Sequence, residues 1–225
     1  MPQIISFIGY HNSGKTTVIR KVAKELISRG LKIGVIKSTK HHLCSMHKEG
    51  SDTWLYKKDG ISDISIVCPD GVVHFKSKDE FDLFYAAFSM FSQVDVILCE
   101  GFKNESSIKK IEVAREEISK ELLKDKVGGV IAVVSDFDID NIKHFSFKEI
   151  KELCNFIIEH FNISNKPFFI DLFVNKRRIP LKRFVKDSLK NTVCGYVSAL
   201  KFTENAEEIE LKIKLKKPDK NNLDV

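Results

Sequence analysis

A short glycine-containing motif near the start of the chain restricts the possible folds more than any other feature. Residues 9–16 read GYHNSGKT, which matches GxxxxGK[ST], and they lie between an apolar run at 4–8 and a helix-like stretch that begins near residue 17. Glycines at these positions let successive backbone N–H groups point at a phosphate, while the following helix presents its positive N-terminus to the same anion. The motif therefore predicts a strand, a phosphate-binding turn and a helix in succession.

The residue types of this motif indicate which ligands it binds. In turns of this kind the lysine, here Lys15, reaches the β- and γ-phosphates of a nucleotide, and the hydroxyl of Thr16 ligates Mg²⁺. A chance match is the alternative, and the strand before and helix after the motif argue against it. The residues of this segment that we expect to contact the nucleotide are Gly9, His11, Asn12, Ser13, Gly14, Lys15, Thr16 and Thr17.

An acidic residue at the end of a later strand completes the expected magnesium site. The apolar run at 94–99 has Asp95 near its start and is followed directly by Glu100 and Gly101. Ligands bind at the carboxyl ends of the strands in open α/β sheets, so Glu100 is the predicted metal ligand and, with Lys15, a predicted catalytic residue. A helix-capping role is the alternative for Glu100. Gly101 lets the backbone approach a phosphate closely.

The loop after the second predicted strand should emerge at the same edge of the sheet. Its Lys37, His41 and His42 are predicted to form hydrogen bonds with the nucleotide or to neutralise its charge. Adjacent histidines usually diverge, so a zinc site is only an alternative. The candidate ligands for such a site are His41, His42, Cys44 and His47. Asp52, further along the chain, either caps a short helix or ligates Mg²⁺ through water.

Helix and strand patterns alternate through the first part of the chain. Predicted strands cover 4–8, 31–36, 61–68, 72–75, 94–99, 111–114 and 127–134. Predicted helices cover 17–28, 52–58, 78–92, 116–124 and 147–161. The turn Pro69-Asp70-Gly71 between two strands predicts an antiparallel hairpin. The remaining alternation predicts an α/β fold of the P-loop type, with three layers and a mostly parallel sheet covered on both faces.

A polar, proline-containing segment at 162–167 predicts a boundary between a nucleotide-binding domain, 1–163, and a small C-terminal unit, 164–225. The second unit is expected to be α+β, with the order ββαβ. Its hairpin surrounds the basic turn at 175–178, its helix covers 184–200, and its last strand covers 209–215, where apolar and charged residues alternate. A unit of this size buries little apolar area alone, so we expect it to dock on the first domain or on a second copy.

Composition is typical of a protein of the reducing cytoplasm. The 225 residues are 43% hydrophobic and 30% charged, and no apolar stretch approaches the roughly 20 residues that a membrane span needs. The chain opens directly into a predicted core strand, so we expect no signal peptide. The five cysteines are scattered and form no CxxC pair, which argues against a disulfide framework. The 37 basic and 31 acidic residues are mixed, so nucleic-acid binding is not expected.

The sequence resembles the molybdopterin-guanine dinucleotide biosynthesis protein B (MobB) family. The elements that carry the resemblance are the motif at 9–17, Lys-Ser-Thr-Lys-His-His at 37–42, Gly-Ser-Asp-Thr at 50–53 and Glu-Gly-Phe-Lys at 100–103. Two later elements, Lys-Ile-Glu-Val at 110–113 with Arg115 and Val-Ser-Asp at 134–136, also fit the family's pattern, and together these elements cover about residues 1–160. Lys40 and Leu43 stand where a histidine and an aspartate are commoner in the family.

The resemblance implies a dimeric P-loop protein that binds GTP and Mg²⁺ and assists the attachment of GMP to the molybdenum-pterin cofactor. It further implies slow intrinsic hydrolysis, binding of a molybdopterin-type cofactor, a nucleotidyltransferase partner, and a nucleotide contact by Lys103. The guanine-reading NKxD element of many GTPases is absent. Asp136, after the strand at 127–134, is the best substitute because a carboxylate can accept hydrogen bonds from guanine N1 and N2; a turn-forming role is the alternative.

Two other functions remain open from the sequence alone. A small-molecule kinase of the same fold usually carries an arginine-rich lid and an acidic base, and Arg115 is the one arginine between Arg29 and Arg177. A metal-delivery GTPase or adaptor would need a convincing set of metal ligands, for which the histidine loop is the candidate. The basic turn at 175–178 is either an exposed hairpin turn or a contact for an anionic pterin phosphate or a partner protein.

Overall fold

The computed structural model describes residues 2–39, 48–76, 81–91, 93–163 and 170–215. The strands are β1 Gln3–Ile8, β2 Ile33–Lys37, β3 Ile64–Cys68, β4 Gly71–Phe75, β5 Val96–Glu100, β6 Lys109–Val113, β7 Val130–Val134, β8 Lys143–Phe145, β9 Leu172–Val174 and β10 Arg177–Ile179. The helices are α1 Lys15–Ser28, α2 Asp52–Lys58, α3 Leu83–Met90, α4 Ile150–Phe161 and α5 Arg183–Ser198, with a 3-10 turn at Leu123–Asp125.

Six of these strands form one parallel sheet in the order β2-β5-β1-β6-β7-β8. The strand β1 lies at the centre, with β5 on one side and β6 on the other. Chain connections therefore diverge at the carboxyl end of β1, the kind of position where ligands bind in open α/β sheets. The turn after β1 carries the glycine motif, so the topology places the motif there.

Both faces of the sheet are covered by helices, because apolar side chains alternate between the two faces along each strand. On one face Ile5 and Phe7 pack in a cluster with the buried side chains of α1 and α4. On the other face Ile4 and Ile97 pack with Leu83 and Ala87 of α3. The predicted three-layer α/β architecture is confirmed.

Two antiparallel hairpins lie outside the main sheet, as predicted. The first pairs β3 with β4 and places Cys68 opposite Gly71, with Pro69 and Asp70 forming the turn. The second pairs β9 with β10 around the basic turn. Phe173 of β9 stacks on Phe88 of α3 at a centroid distance of 4.5 Å. Tyr85, also in α3, contacts the ring of Phe173 edge-on at 6.0 Å.

Three predictions of local structure were wrong. The predicted helix at 116–124 is replaced by turns and the short 3-10 element, because the buried carboxylate of Glu112 accepts hydrogen bonds from the N–H groups of Leu123 and Lys124. The strand β8 was missed. The predicted strand at 209–215 is not formed, and its alternating apolar residues are exposed in the structure.

The chain divides into two compact units, residues 1–180 and residues 181–225. The hairpin of β9 and β10 belongs to the first unit. Within the described part of the second unit, 181–215, no residue is buried. The boundary predicted after residue 163 adjoins residues outside the described part and stays a prediction. None of the helices in the described ranges has the length and apolar character needed to cross a bilayer.

Candidate nucleotide-binding site

The turn between β1 and α1 has a backbone that only glycine accommodates at two positions. Gly9 has φ +151°, and a Cβ built on it would lie 2.2 Å from the carbonyl oxygen of Val113. Gly14 caps the N-terminus of α1 with φ 93° and ψ 12°. The first N–H groups of α1, which follow these two glycines, have no partner within the helix and can bind an anion.

Lys15 is folded over this turn. Its Nζ donates to the carbonyl oxygens of Gly9 at 3.1 Å and Tyr10 at 2.5 Å. Burial lowers the pKa of Lys15, the Glu100 carboxylate opposes this shift, and the Lys37 ammonium adds to it. The ammonium is thus held over the concave side of the turn by contacts that a phosphate oxygen could replace.

Thr16, Glu100 and Lys37 come together from α1, β5 and β2. Thr16 Oγ1 donates to Glu100 Oε2 at 2.9 Å, and Lys37 Nζ lies 3.2 Å from Glu100 Oε1. Adjacent oxygen ligands of an octahedral Mg²⁺ with bonds of about 2.1 Å lie about 3 Å apart. The hydroxyl and carboxylate oxygens therefore have the chemistry and the separation needed to share a magnesium ion.

The loop after β5 is tied to its neighbours through its backbone. Gly101 N donates to the carbonyl oxygen of Phe7 at 3.0 Å, and Ser6 Oγ donates to the carbonyl oxygen of Gly101. Gly101 has φ +100°, and a Cβ there would lie 3.1 Å from the Cβ of Ser38. This close approach fixes the position of Glu100 beside the turn.

Ser13 carries a buried polar atom within the turn. The residue is 1% exposed, and its Oγ has no hydrogen-bond partner among the described residues. The same Oγ would lie 2.7 Å from a Cβ built on Gly9, so it is close to the bend of the turn. Buried hydroxyls in folded proteins usually have a partner, and an anion bound in this turn could supply an acceptor.

On the other side of β1, side chains follow the ends of β6, β7 and β8. Asp136, after β7, accepts from Glu116 N through Oδ1 at 2.9 Å and lies 3.5 Å from Arg115 Nη1 through Oδ2. The guanidinium carbon of Arg115 lies 4.4 Å from the ring centroid of Phe147. Arg115 and Phe147 were not among the predicted site residues. The sequence feature that could have indicated Arg115 is its position just after a core strand.

The other predicted site residues are less constrained. His11, Asn12, Thr17 and Lys103 are exposed, and Asn12 has φ 61°. Asp52 is not the cap of α2, because Ser51 occupies the N-cap position and accepts from Trp54 N. A role for Asp52 in the magnesium shell stays a prediction. His41 and His42, with the alternative zinc ligands Cys44 and His47, lie outside the described residues.

Within the described ranges, no group of three or more His, Cys, Asp or Glu side chains could hold a metal ion. Cys68, Cys99, Cys154 and Cys194 are free thiols. Burial raises the pKa of both Cys99 and Cys154 to about 12, so these two thiols stay protonated and act as small core residues.

Comparison with known proteins places this geometry in a defined family. The family model described as molybdopterin guanine dinucleotide synthesis protein B matches residues 4–136. The molybdopterin-guanine dinucleotide biosynthesis adapter protein of Escherichia coli (strain K12) is 30% identical over 167 residues, which cover 71% of this chain and 93% of that protein. A putative adapter protein of the same description from Methanocaldococcus jannaschii is 24% identical over an alignment that covers 96% of this chain and 99% of that protein.

The fold also matches solved structures. A crystal structure of molybdopterin-guanine biosynthesis protein B is 26% identical, with a TM-score of 0.53, and covers 70% of this chain and 99% of that chain. A homologue from Bacillus stearothermophilus is 19% identical, with a TM-score of 0.51, and covers 71% of this chain and 97% of that chain. The second match supports the fold alone.

Proposed function

The chain belongs to the molybdopterin guanine dinucleotide synthesis protein B family, and on that premise we propose that it is a GTP-binding adapter in molybdopterin guanine dinucleotide biosynthesis. We further propose that it hydrolyses GTP slowly and depends on Mg²⁺. The observation that carries the proposal is the arrangement of Lys15, Thr16 and Glu100 around the glycine turn. In this arrangement the turn holds the phosphates, Lys15 neutralises their charge, and Thr16 and Glu100 hold the metal ion.

The choice of GTP over ATP has two supports. The product named in the descriptions of the relatives contains guanine. In this chain Asp136 is exposed at the end of β7, and its carboxylate is oriented by Arg115 and by the N–H group of Glu116. A carboxylate has about four acceptor positions, so these two contacts leave capacity to accept from guanine N1 and N2.

Slow hydrolysis follows from the charges available at the phosphate side of the site. Phosphoryl transfer is accelerated mainly by positioning and charge stabilisation, and an arginine finger contributes a large factor in GTPases. Lys15 contacts the turn, and Lys37 contacts Glu100. Arg115 is engaged with Phe147 and Asp136 on the side of β6 and β7. Fast hydrolysis would then require a cation supplied by a partner.

An adapter role also predicts partners. We propose that a nucleotidyltransferase that joins GMP to the pterin binds this protein, that the protein acts in the cytoplasm as a homodimer, and that a molybdopterin-type cofactor is the shared ligand. The basic turn between β9 and β10 is a candidate contact for its phosphate. Arg178 is already bound to Asp171 by two hydrogen bonds of 3.0 Å and 2.6 Å, so the exposed Arg177 is the better candidate.

Equilibrium titration with GTP and with ATP, each with and without Mg²⁺, tests the nucleotide site. We expect tighter binding of GTP than ATP, dependence on Mg²⁺, and turnover well below the 1 to 100 s⁻¹ typical of kinases. Lys15→Ala should lose GTP affinity while its circular dichroism spectrum stays unchanged. Lys24→Ala is the matched control, because it removes the same charge from an exposed position on the same helix.

The alternative functions give different results in the same assay. Rapid ATP-dependent phosphorylation of a small metabolite would identify a kinase and contradict the proposal. GTP turnover stimulated by a transition metal would instead indicate metal delivery. If Lys15→Ala binds GTP as tightly as the unaltered chain, the turn between β1 and α1 is not the phosphate site.

A further inference from the structure

Arg115 is held against the phosphate-binding turn from several directions. Its guanidinium stacks on the ring of Phe147 at 4.4 Å and pairs with the carboxylate of Asp136 at 3.5 Å. A Cβ built on Gly14 would lie 3.4 Å from Arg115 Nε and 3.4 Å from a ring carbon of Phe147. The stacked pair therefore lies beside Gly14, the N-cap residue of α1, where the phosphates are expected.

These contacts bring together the carboxyl ends of three neighbouring strands. Arg115 follows β6, Asp136 follows β7 and Phe147 follows β8. All three strands are parallel to β1, so their carboxyl ends share the edge of the sheet that carries the glycine turn. Arg115 keeps 32% of its side chain exposed and Asp136 keeps 38%. Both side chains are thus accessible to a ligand bound at this edge.

The position of the metal ligands sets the direction in which a bound nucleotide extends. Glu100 and Lys37 are the last residues of β5 and β2, on one side of β1. The residues that would hold the terminal phosphate and its metal ion, Lys37, Thr16 and Glu100, are therefore grouped on that side. The nucleoside, at the opposite end of the phosphate chain, would then extend toward β6, β7 and β8, where Arg115 lies between the turn and Asp136.

From this arrangement, the geometry points to the Arg115–Phe147 pair as a stacking platform for the nucleobase of the bound nucleotide. The guanidinium plane lies against one face of the purine, and Phe147 supports it from behind. Asp136 then meets the edge of the same base. This inference rests on the proposed nucleotide site and adds to it the residues that bind the base. Arginine suits this role because its guanidinium is planar and stacks on ring systems, whereas lysine presents a compact charge.

The alternative is that Arg115 only braces the turn between β1 and α1. The two roles differ in which ligands they affect. A stacking platform contributes to binding of a nucleotide but contributes nothing to binding of inorganic tripolyphosphate, which has no base. A brace that shapes the turn affects both ligands equally, because both depend on the same backbone N–H groups.

The experiment compares binding of GTP and of inorganic tripolyphosphate by calorimetry, in the full chain and in three variants. For Arg115→Lys and Arg115→Ala we expect about a tenfold loss of GTP affinity, because neither substitution keeps the planar guanidinium that stacks on the base. We expect tripolyphosphate affinity within about twofold of the unaltered chain. Lys143→Ala is the matched control, since it removes another cation that lies over an aromatic ring, Phe145, in β8; it should change neither affinity.

A second measurement keeps the test informative if Arg115→Ala unfolds. Phe147→Trp places an indole under the guanidinium, and its emission should change when GTP binds but not when tripolyphosphate binds. Equal losses for both ligands in Arg115→Lys, or a Phe147→Trp signal that both ligands produce, would overturn the platform and leave the phosphate site intact. If the unaltered chain binds neither ligand, the proposed nucleotide site fails and the platform fails with it.

Discussion

At the scale of single residues, the electrostatics of Lys15 give a pH prediction. A lysine must be protonated to neutralise a phosphate, and burial has lowered the pKa of Lys15 from its usual 10.5. Without Mg²⁺, the affinity for tripolyphosphate should therefore begin to fall as the pH rises. The fall should begin at a lower pH than it would if Lys15 had the usual lysine pKa. Calorimetric titrations between pH 7 and pH 10 would show this, with the profile of Lys15→Ala as the baseline.

Substitution of Glu100 gives a second test of this pH dependence. The negative charge of Glu100 favours the protonated form of Lys15 and so raises its pKa. In Glu100→Gln that opposing influence is removed, and the pKa of Lys15 is lowered further. The pH at which affinity falls should move downward relative to the unaltered chain. A shift in the upward direction, or no shift, would show that Glu100 does not act on Lys15.

Sequence patterns identified the candidate residues on one side of β1 but not the Arg115–Phe147 pair on the other side. Lys15, Thr16 and Glu100 belong to short motifs whose spacing alone indicates their roles, and the structure brings their side chains together. Arg115 and Phe147 are separated by 32 positions in the chain, and only the order of β6, β7 and β8 brings them into contact. Contacts of this kind depend on the topology of the sheet, which no local pattern contains.

At the scale of secondary-structure elements, the hairpin of β9 and β10 depends on the aromatic contacts of Phe173. A two-stranded hairpin alone is marginally stable in water, and Phe173 attaches this one to α3 through Phe88 and Tyr85. Phe173→Ala should lower the free energy of unfolding by about 1–3 kcal/mol, since the ring is half-buried and aromatic pairs add to the area term. Urea denaturation would measure the loss, and faster amide hydrogen exchange in the hairpin would locate it.

Val174 provides the control for that substitution. It is the next residue of the same strand and is 49% exposed, so Val174→Ala should change the free energy of unfolding by less than about 0.5 kcal/mol. GTP affinity should be unchanged in both variants, because neither residue belongs to the site. If the two substitutions had equal effects, the contact with α3 would not be what stabilises the hairpin.

The elements that sequence reasoning predicted wrongly have separate physical causes. Residues 116–124 have a helical composition, yet the buried Glu112 binds the N–H groups of Leu123 and Lys124, which a helix would use internally. The strand β8 is three residues long and mixes charged and apolar residues, so it has little periodic signal. The main strands and α1, whose apolar periodicity extends over five or more residues, were placed correctly to within a few residues.

At the scale of the whole molecule, the first unit contains all the parts that the proposed function uses. The six-stranded sheet, the glycine turn and the Arg115–Phe147 pair all lie within residues 1–180. The crystal structure of the related protein B covers 70% of this chain while matching 99% of its own length. The rest of this chain has no counterpart in that match.

Two truncated chains test the predicted domain boundary, after residue 163, against the boundary of the compact unit, after residue 180. A chain ending at residue 180 should unfold cooperatively and bind GTP within about twofold of the full chain, because no described residue of 181–215 is buried. A chain ending at residue 163 lacks the hairpin and exposes the α3 surface that Phe173 covers. It should therefore be less stable, by the same roughly 1–3 kcal/mol as Phe173→Ala or more.

The two truncations together show which boundary describes the folding unit. Thermal unfolding followed by circular dichroism, with GTP titration of each chain, is sufficient to compare them. If the chain ending at 163 is as stable as the chain ending at 180, the hairpin is an appendage and the boundary predicted from the polar segment is correct. If only the longer chain is stable, the hairpin completes the outer layer over α3, and the C-terminal helix α5 is free to serve a partner rather than the fold.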